Sequence, residues 1–192
     1  MKKITLLLAI LFVAISASSQ TTWVHDPYHS HLGFTVTHLG IADVPGNFSD
    51  YEVTITTSEA DFSDAVIELT VQTESVDTRV TPRDNHLRSA DFFDVEQHPT
   101  MTFKSTSIKR VGENRYTLTG DLTLVGVTRQ VAMEMEYRGT TDNPNADGAP
   151  VAGIQISGEI NRSDFGMGAD FPPPMISDKV VIKADGEFGH KN

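Results

Sequence analysis

The sequence predicts an all-β fold of about eight strands with one short helical insertion. Apolar residues alternate with polar ones along most of the chain, Gly, Asn and Asp turns separate the alternating segments, and one stretch breaks this rhythm. Because successive side chains of a strand point to opposite faces of a sheet, each predicted strand has one apolar and one wet face. One-sided strands in this number form a closed antiparallel barrel or a sandwich, and closure removes the exposed edges.

The alternating segments recur along the whole chain after the first residues. The clearest ones contain Leu32, Phe34 and Val36; Tyr51, Val53 and Ile55; Ala65, Ile67, Leu69 and Val71; Tyr116, Leu118, Leu122 and Leu124; and Val127, Val131, Met133, Met135 and Tyr137. Three further strands are predicted at 101–108, 151–160 and 179–188. An eight-stranded barrel is wide enough to hold one small ligand, which links the pattern to a function.

The stretch from Thr81 to Val95 departs from the strand pattern. Thr81 is predicted as the N-cap of a helix, Pro82 as its first helical residue, and Asp84 lies in its first turn. We expect residues 82–95 to form one or two short helices between strands. The loops at 139–150 and 171–175 are too short to link two domains, so residues 20–192 are expected to form one domain.

The first residues resemble an export signal. Lys2 and Lys3 precede an apolar run from Ile4 to Ile15, and small residues follow at 16–19, so residues 1–19 are expected to be a cleaved signal peptide. The apolar run is about a dozen residues long, whereas a membrane-spanning helix needs about 20, so we expect no stable membrane anchor. The expected location is the periplasm or the outside of the cell.

Composition excludes several classes of function. The chain has no cysteine, which excludes disulfides, thiolate metal sites and a lipoprotein thioether anchor. Its formal net charge is −11 at pH 7 with neutral histidines. A chain of this charge repels nucleic acid and anionic membrane surfaces, so no nucleic-acid partner is expected.

Several short segments carry a more specific signal when they are taken in order. They are 23–30, 34–40, 44–48, 75–78, 83–95, 98–100, 120–128 and 161–167, with Ser177 and Asp178 before the last predicted strand. Together they resemble the YceI-like family of lipocalin-like, polyisoprenoid-binding proteins. The resemblance runs from Trp23 to the last strand, and its most specific part is Arg83 to Val95.

The resemblance implies an eight-stranded antiparallel lipocalin-like barrel, with a helical insertion over one side and an elongated apolar cavity inside. It implies an isoprenoid lipid of quinone or prenyl-phosphate type as the ligand, no catalysis and no other cofactor, and the capacity to form a homodimer. The loop Phe171 to Met175, with three consecutive prolines, departs from the family pattern and is expected to reshape a rim of the barrel.

A lipid site requires apolar side chains along a cavity and a few polar ones at its mouth. The candidates for the lining are Phe34, Phe48, Phe92, Phe93, Phe103, Met133, Met135 and Phe165. Each of these alone is more typical of an ordinary core, and only the resemblance favours a cavity for the whole set.

Arg83 and His86 are the candidates for contact with a polar head group, because residues three apart share a helix face. Asp84 is expected to pair with an arginine, Arg88 or Arg162, and to fix the helical insertion on the barrel.

Four histidines, at 25, 29, 31 and 38, raise the question of a metal site. Zinc needs three or four convergent ligands, whereas the spacing brings only His29 and His31 to one strand face, so no metal site is expected. No serine–histidine–acid arrangement, carboxylate pair or glycine-rich phosphate loop indicates catalysis.

The leading hypothesis is a carrier of a long-chain isoprenoid lipid. The alternatives are a stress-related binding protein for another amphiphile, such as a fatty acid or fatty amide, and a histidine-dependent metalloenzyme.

Overall fold

A computed structural model describes residues 19–144 and 146–191, and strands dominate them. The strands are β1 (Thr21–His38), β2 (Ala42–Phe48), β3 (Tyr51–Thr57), β4 (Val66–Gln72), β5 (Val76–Asp77), β6 (Thr100–Gly112), β7 (Arg115–Leu124), β8 (Val127–Asp142), β9 (Pro150–Asn161) and β10 (Lys179–His190). The helix α1 (Thr81–Arg88) lies between β5 and β6, with 3-10 turns at Thr73–Ser75 and Arg162–Phe165. The predicted signal peptide lies almost entirely outside the described residues.

Eight strands form a closed antiparallel barrel, which confirms the predicted fold. They follow the order β1-β3-β4-β6-β7-β8-β9-β10, and β10 pairs with β1 to close the ring. β2 and β5 lie outside the ring, since β2 pairs with the second half of β1 and β5 pairs with β2. None of the helices in the described part of the chain is both long and apolar enough to span a bilayer.

β1 has two partners on one edge. Thr21–Val24 pairs with β3, and Leu32–His38 pairs with β2, while β10 follows the other edge. Along β10 the pairing moves from His25↔Phe188 to Ser30↔Gly186, so an advance of five residues on β1 matches an advance of two residues on β10. The extra residues form an outward bulge, Asp26–His29, between the two halves of β1.

Side chains close one end of the barrel. Phe62, in the loop between β3 and β4, is 1% exposed, and its ring centroid lies 5.3 Å from that of Trp23 and 4.9 Å from that of Tyr137. Tyr116 is fully buried and donates a hydrogen bond to the Asp61 carbonyl over 2.7 Å. The β3–β4 loop therefore plugs this end, which we call the Phe62 end.

The helical insertion covers the opposite end, which we call the α1 end. The amides of Arg83 and Asp84 both donate to the carbonyl of Val80, at 2.9 and 3.0 Å. Val80 therefore occupies the N-cap, and the prediction of Thr81 as N-cap is wrong by one residue because these first helical hydrogen bonds start at Val80. After Arg88 the chain forms turns, not a second α-helix.

Candidate binding cavity

An apolar cavity of about 110 Å³ lies inside the barrel, between the two covered ends. All eight strands of the ring contribute to its wall. The apolar residues of the wall are Leu32, Val53, Ile67, Leu69, Met101, Phe103, Leu122, Met133, Ile154, Ile156, Ile182, Ala184 and Phe188. They are the inward-facing members of the alternating pattern, so the strand periodicity produces the cavity wall.

The cavity is smaller than the elongated one that the resemblance implies. A dry cavity of about 150 Å³ holds a benzene molecule, so this space suits an apolar group of about one isoprene unit. Pockets for larger ligands usually measure about 300 Å³ or more. A longer chain therefore requires side chains of the wall to move, and Met101 and Met133 are the most adaptable of them, because an unbranched thioether changes rotamer easily.

Two glycines explain why large side chains still leave space. A Cβ on Gly120 would lie 2.4 Å from Cζ of Phe103, and a Cβ on Gly158 would lie 2.1 Å from Sδ of Met133. Each large side chain thus lies flat over a glycine of the neighbouring strand. Both Phe103 and Met133 were predicted to line a cavity, and the structure places both in the wall.

Five other predicted lining residues lie together at the α1 end instead. Phe34 is half-buried, whereas Phe48, Phe92, Phe93 and Phe165 are buried. The ring of Phe48 lies 5.7 Å from that of Phe34 and 5.5 Å from that of Phe93. These side chains fill the interior beneath α1 and do not belong to the cavity wall.

Met135 is buried in the core and lies opposite Tyr116, near the Phe62 end. It too is absent from the cavity wall. The position two residues earlier on β8, Met133, faces the cavity, so the boundary between cavity and core falls between these two methionines.

The two predicted head-group residues contact other parts of the protein. Arg83 donates from Nε to the Thr78 hydroxyl over 2.7 Å and from Nη2 to the Thr78 carbonyl over 2.8 Å. His86 Nε2 lies 2.9 Å from Oδ2 of Asp91, and its ring packs edge-on against Phe92. Both residues lie on α1, away from the cavity wall.

Asp84 fixes the start of the insertion, although not through the expected arginine. Its carboxylate accepts hydrogen bonds from the Thr78 amide, over 2.8 Å, and from the Thr78 hydroxyl. Burial raises the pKa of Asp84, but these hydrogen bonds and the charges of Arg88 and Arg83 outweigh it and lower the pKa overall. Arg88 in turn donates to the carbonyls of Glu74 and Val76.

Arg162 is the central polar residue of the α1 end, and no acidic side chain among the described residues pairs with it. It is 6% exposed, and its guanidinium donates only to backbone carbonyls. The acceptors are Met167 and Gly168 at 2.7 Å, Ser177 at 3.1 Å, Ile176 at 3.2 Å and Phe171 at 2.5 Å. This one side chain therefore shapes the loop between β9 and β10.

Polar residues cluster on one side of the cavity wall. His25, Ser30 and Tyr51 lie around the point where β1 leaves β3. His31 and Asp185, which are paired across β1 and β10, also border the cavity, although the Asp185 carboxylate accepts hydrogen bonds from Arg138 and Gln155. No Lys or Arg occurs among the described residues of the wall. Burial raises the pKa of the Tyr51 hydroxyl.

These polar wall residues were not predicted as site residues. Tyr51 begins an alternating strand and could have been found from that pattern. The roles of His25 and Ser30 depend on the bulge between them, and no local sequence signal gives its size.

One group of potential metal ligands lies on this bulge, among the residues that the structure describes. His29 Nδ1 is 2.8 Å from Asp26 Oδ2 and 3.8 Å from Glu187 Oε2, and the three ligand atoms lie within 4.8 Å of one another. The hydrogen bond to Asp26 raises the pKa of His29. His25, His31 and His38 do not join this group.

The closed eight-stranded antiparallel barrel with an internal apolar cavity defines a lipocalin-like barrel. Within this class the chain belongs to the YceI-like family, because the model of the YceI-like domain matches residues 23–188.

Comparisons with known proteins, in sequence and in structure, support this family assignment. The protein YceI of Escherichia coli is 38% identical over 158 residues, which cover 82% of this chain and 81% of that protein. The crystal structure of the Campylobacter jejuni YCEI protein superposes with a TM-score of 0.74 at 27% identity, with 100% of both chains covered. A polyisoprenoid binding domain from Saccharophagus degradans shares the fold, with a TM-score of 0.67 at 15% identity. The match covers 90% of this chain and 100% of that domain.

Proposed function

We propose that this protein is a periplasmic carrier or reservoir that holds the isoprenoid chain of a quinone-type or prenyl-phosphate-type lipid in its barrel. The observation that carries the proposal is the apolar cavity, whose wall is built from all eight strands of the ring. A periplasmic location rests on the export signal predicted for residues 1–19.

Burial of apolar chain supplies the affinity in this proposal. Each buried CH₂ contributes about 0.8 kcal/mol, so one five-carbon isoprene unit contributes about 4 kcal/mol before ordering costs. Because no Lys or Arg occurs among the described residues of the wall, a phosphate head group meets no permanently positive side chain inside the cavity. The chain is bound inside, and a charged head stays in water.

Binding, and not catalysis, is the function that the cavity chemistry favours. The hydroxyl of Ser30 donates to the carbonyl of Glu187 over 3.4 Å, and within the described part of the chain it makes no hydrogen bond with a histidine. A serine nucleophile requires a base within hydrogen-bonding distance. The protein also shares its fold with a polyisoprenoid binding domain, at 15% identity.

A matched pair of alanine variants tests the proposal. Ala184 faces the cavity, whereas Ala132 lies on the outer face of β8. We expect Ala184→Phe to fill the cavity and weaken the binding of farnesol at least tenfold, and Ala132→Phe to leave it within about twofold, measured by displacement of a fluorescent apolar probe. Equal binding by both variants would place the ligand outside the barrel. A labelled acyl chain that outcompetes farnesol would favour a fatty acid or fatty amide as the ligand.

A further inference from the structure

The wall of the barrel is interrupted between β1 and β3. Their pairing ends at Val24↔Thr54, and the pairing of β1 with β2 begins only at Leu32↔Phe48. On this edge of β1, residues 25–31 have no backbone ladder partner in the described part of the chain. The outward bulge on the other edge of β1, Asp26–His29, spans the same interval.

A side chain bridges this gap where a backbone carbonyl would do so in a regular ladder. The amide of Val53 donates to Nδ1 of His25 over 3.3 Å. The imidazole also stacks on the ring of Tyr51, with centroids 4.9 Å apart and planes 25° apart. A rotamer change of one side chain breaks this bridge, whereas a regular ladder opens only when two strands separate.

The cavity reaches this gap. His25 and Ser30 on one side of the gap and Tyr51 and Val53 on the other all belong to the cavity wall. The ends of the barrel offer no comparable route, because Phe62 plugs one end and the aromatic side chains beneath α1 fill the other.

We propose that the gap between β1 and β3 is a side opening through which a lipid chain enters and leaves the cavity, and that His25 is the positioning residue that closes it. This inference rests on the proposed function. The bulge allows the opening, because its extra residues let β1 leave β3 and still stay paired with β10.

Two variants test the opening in opposite directions. His25→Ala removes both the acceptor and the stacked ring, so we expect faster entry and faster exit of 1-N-phenylnaphthylamine, by about threefold to tenfold. Val24→Cys/Thr54→Cys places a disulfide between directly paired residues at the margin of the gap, and the absence of native cysteine leaves one thiol pair. Oxidation of this variant slows both rates at least tenfold, and reduction restores them. Stopped-flow fluorescence measures both rates.

Matched controls separate a gate from a mere support of the wall. Thr117→Cys/Glu134→Cys forms the same kind of cross-strand disulfide between β7 and β8, away from the gap, and leaves the rates unchanged. A gate changes entry and exit by the same factor, so oxidation of Val24→Cys/Thr54→Cys, at two positions outside the cavity wall, leaves Kd within about twofold of the reduced value, whereas damage to the wall changes Kd.

Each outcome has a distinct meaning. Normal probe binding with rates that respond to neither variant overturns the side opening and leaves the proposed function standing. Failure of the unmodified protein to bind the probe overturns both.

Discussion

The α1 end of the barrel and the cavity are both lined by large apolar side chains, yet only the α1 end is filled. At the α1 end, Phe48 contacts two other phenylalanine rings, and Arg162 holds the covering loop through five backbone carbonyls. In the cavity, Phe103 and Met133 lie flat over glycines and leave about 110 Å³. We therefore expect stability to depend mainly on the first region and ligand binding on the second.

The largest effect is expected from Arg162→Met. It leaves five backbone carbonyls without their donor, so we expect the free energy of unfolding to fall by about 4 kcal/mol, measured by urea denaturation. Arg129→Met, at an exposed position of β8, changes it by less than about 0.5 kcal/mol. If the Arg162 variant is as stable as its control, stability does not depend mainly on the α1 end. If the folded variant has lost probe binding, ligand binding does not depend mainly on the cavity.

Gly158→Ala is expected to affect probe binding more than stability, the reverse of Arg162→Met. The new methyl group occupies the site of the Met133 sulfur, and the flexible methionine side chain turns into the cavity. We expect probe affinity to fall about tenfold while the free energy of unfolding falls by only about 1–2 kcal/mol.

Gly189→Ala is the control for this change, because a Cβ there has no neighbouring atom within 4 Å. It should leave both quantities almost unchanged. Retention of full probe affinity by the Gly158 variant, measured by fluorescence titration, would show that the Met133 side chain does not shape the ligand site.

The smallest effect concerns the loop that carries Phe62. Burial raises the pKa of Asp64, but hydrogen bonds from the Ser58 and Thr57 hydroxyls and from nearby amides outweigh it and hold the pKa at about 2. This value lies below the unfolded value of about 3.9, so the carboxylate stabilises the fold fully above about pH 4, and this stabilisation is lost as the pH falls through 2.

Asp64→Asn should therefore lower the free energy of unfolding by about 1 kcal/mol at pH 7, a value reduced by solvent screening because the carboxylate is exposed. At pH 2 the difference should shrink by half or more. Urea denaturation at both pH values measures it, and an equal difference at both would assign the effect to packing and not to charge.

Most of the fold followed from the sequence because period-two alternation directly encodes which side chains face inward. The position of the helical insertion followed from its proline and its break in alternation, although hydrogen bonds to the Val80 carbonyl shift its start by one residue.

The alternation alone does not distinguish the inward-facing residues that line the cavity from those that fill the core. Phe34 and Phe103 both lie over a glycine, Gly46 and Gly120, yet only Phe103 lines the cavity. Which glycine lies next to which phenylalanine depends on the register between strands, and which space then remains open depends on the insertion above them. Neither is encoded in the local alternation. The bridge made by His25 is hidden for a related reason, because it exists only where the bulge separates β1 from β3.

The central claim is that the barrel interior is the ligand site, and lipid extraction tests it most directly. Protein purified from its native source, extracted with organic solvent and analysed by mass spectrometry, should yield close to one isoprenoid lipid per chain, and the Ala184→Phe variant should yield far less. Repeated extraction without any lipid, or the same lipid in equal amount from both proteins, would contradict it.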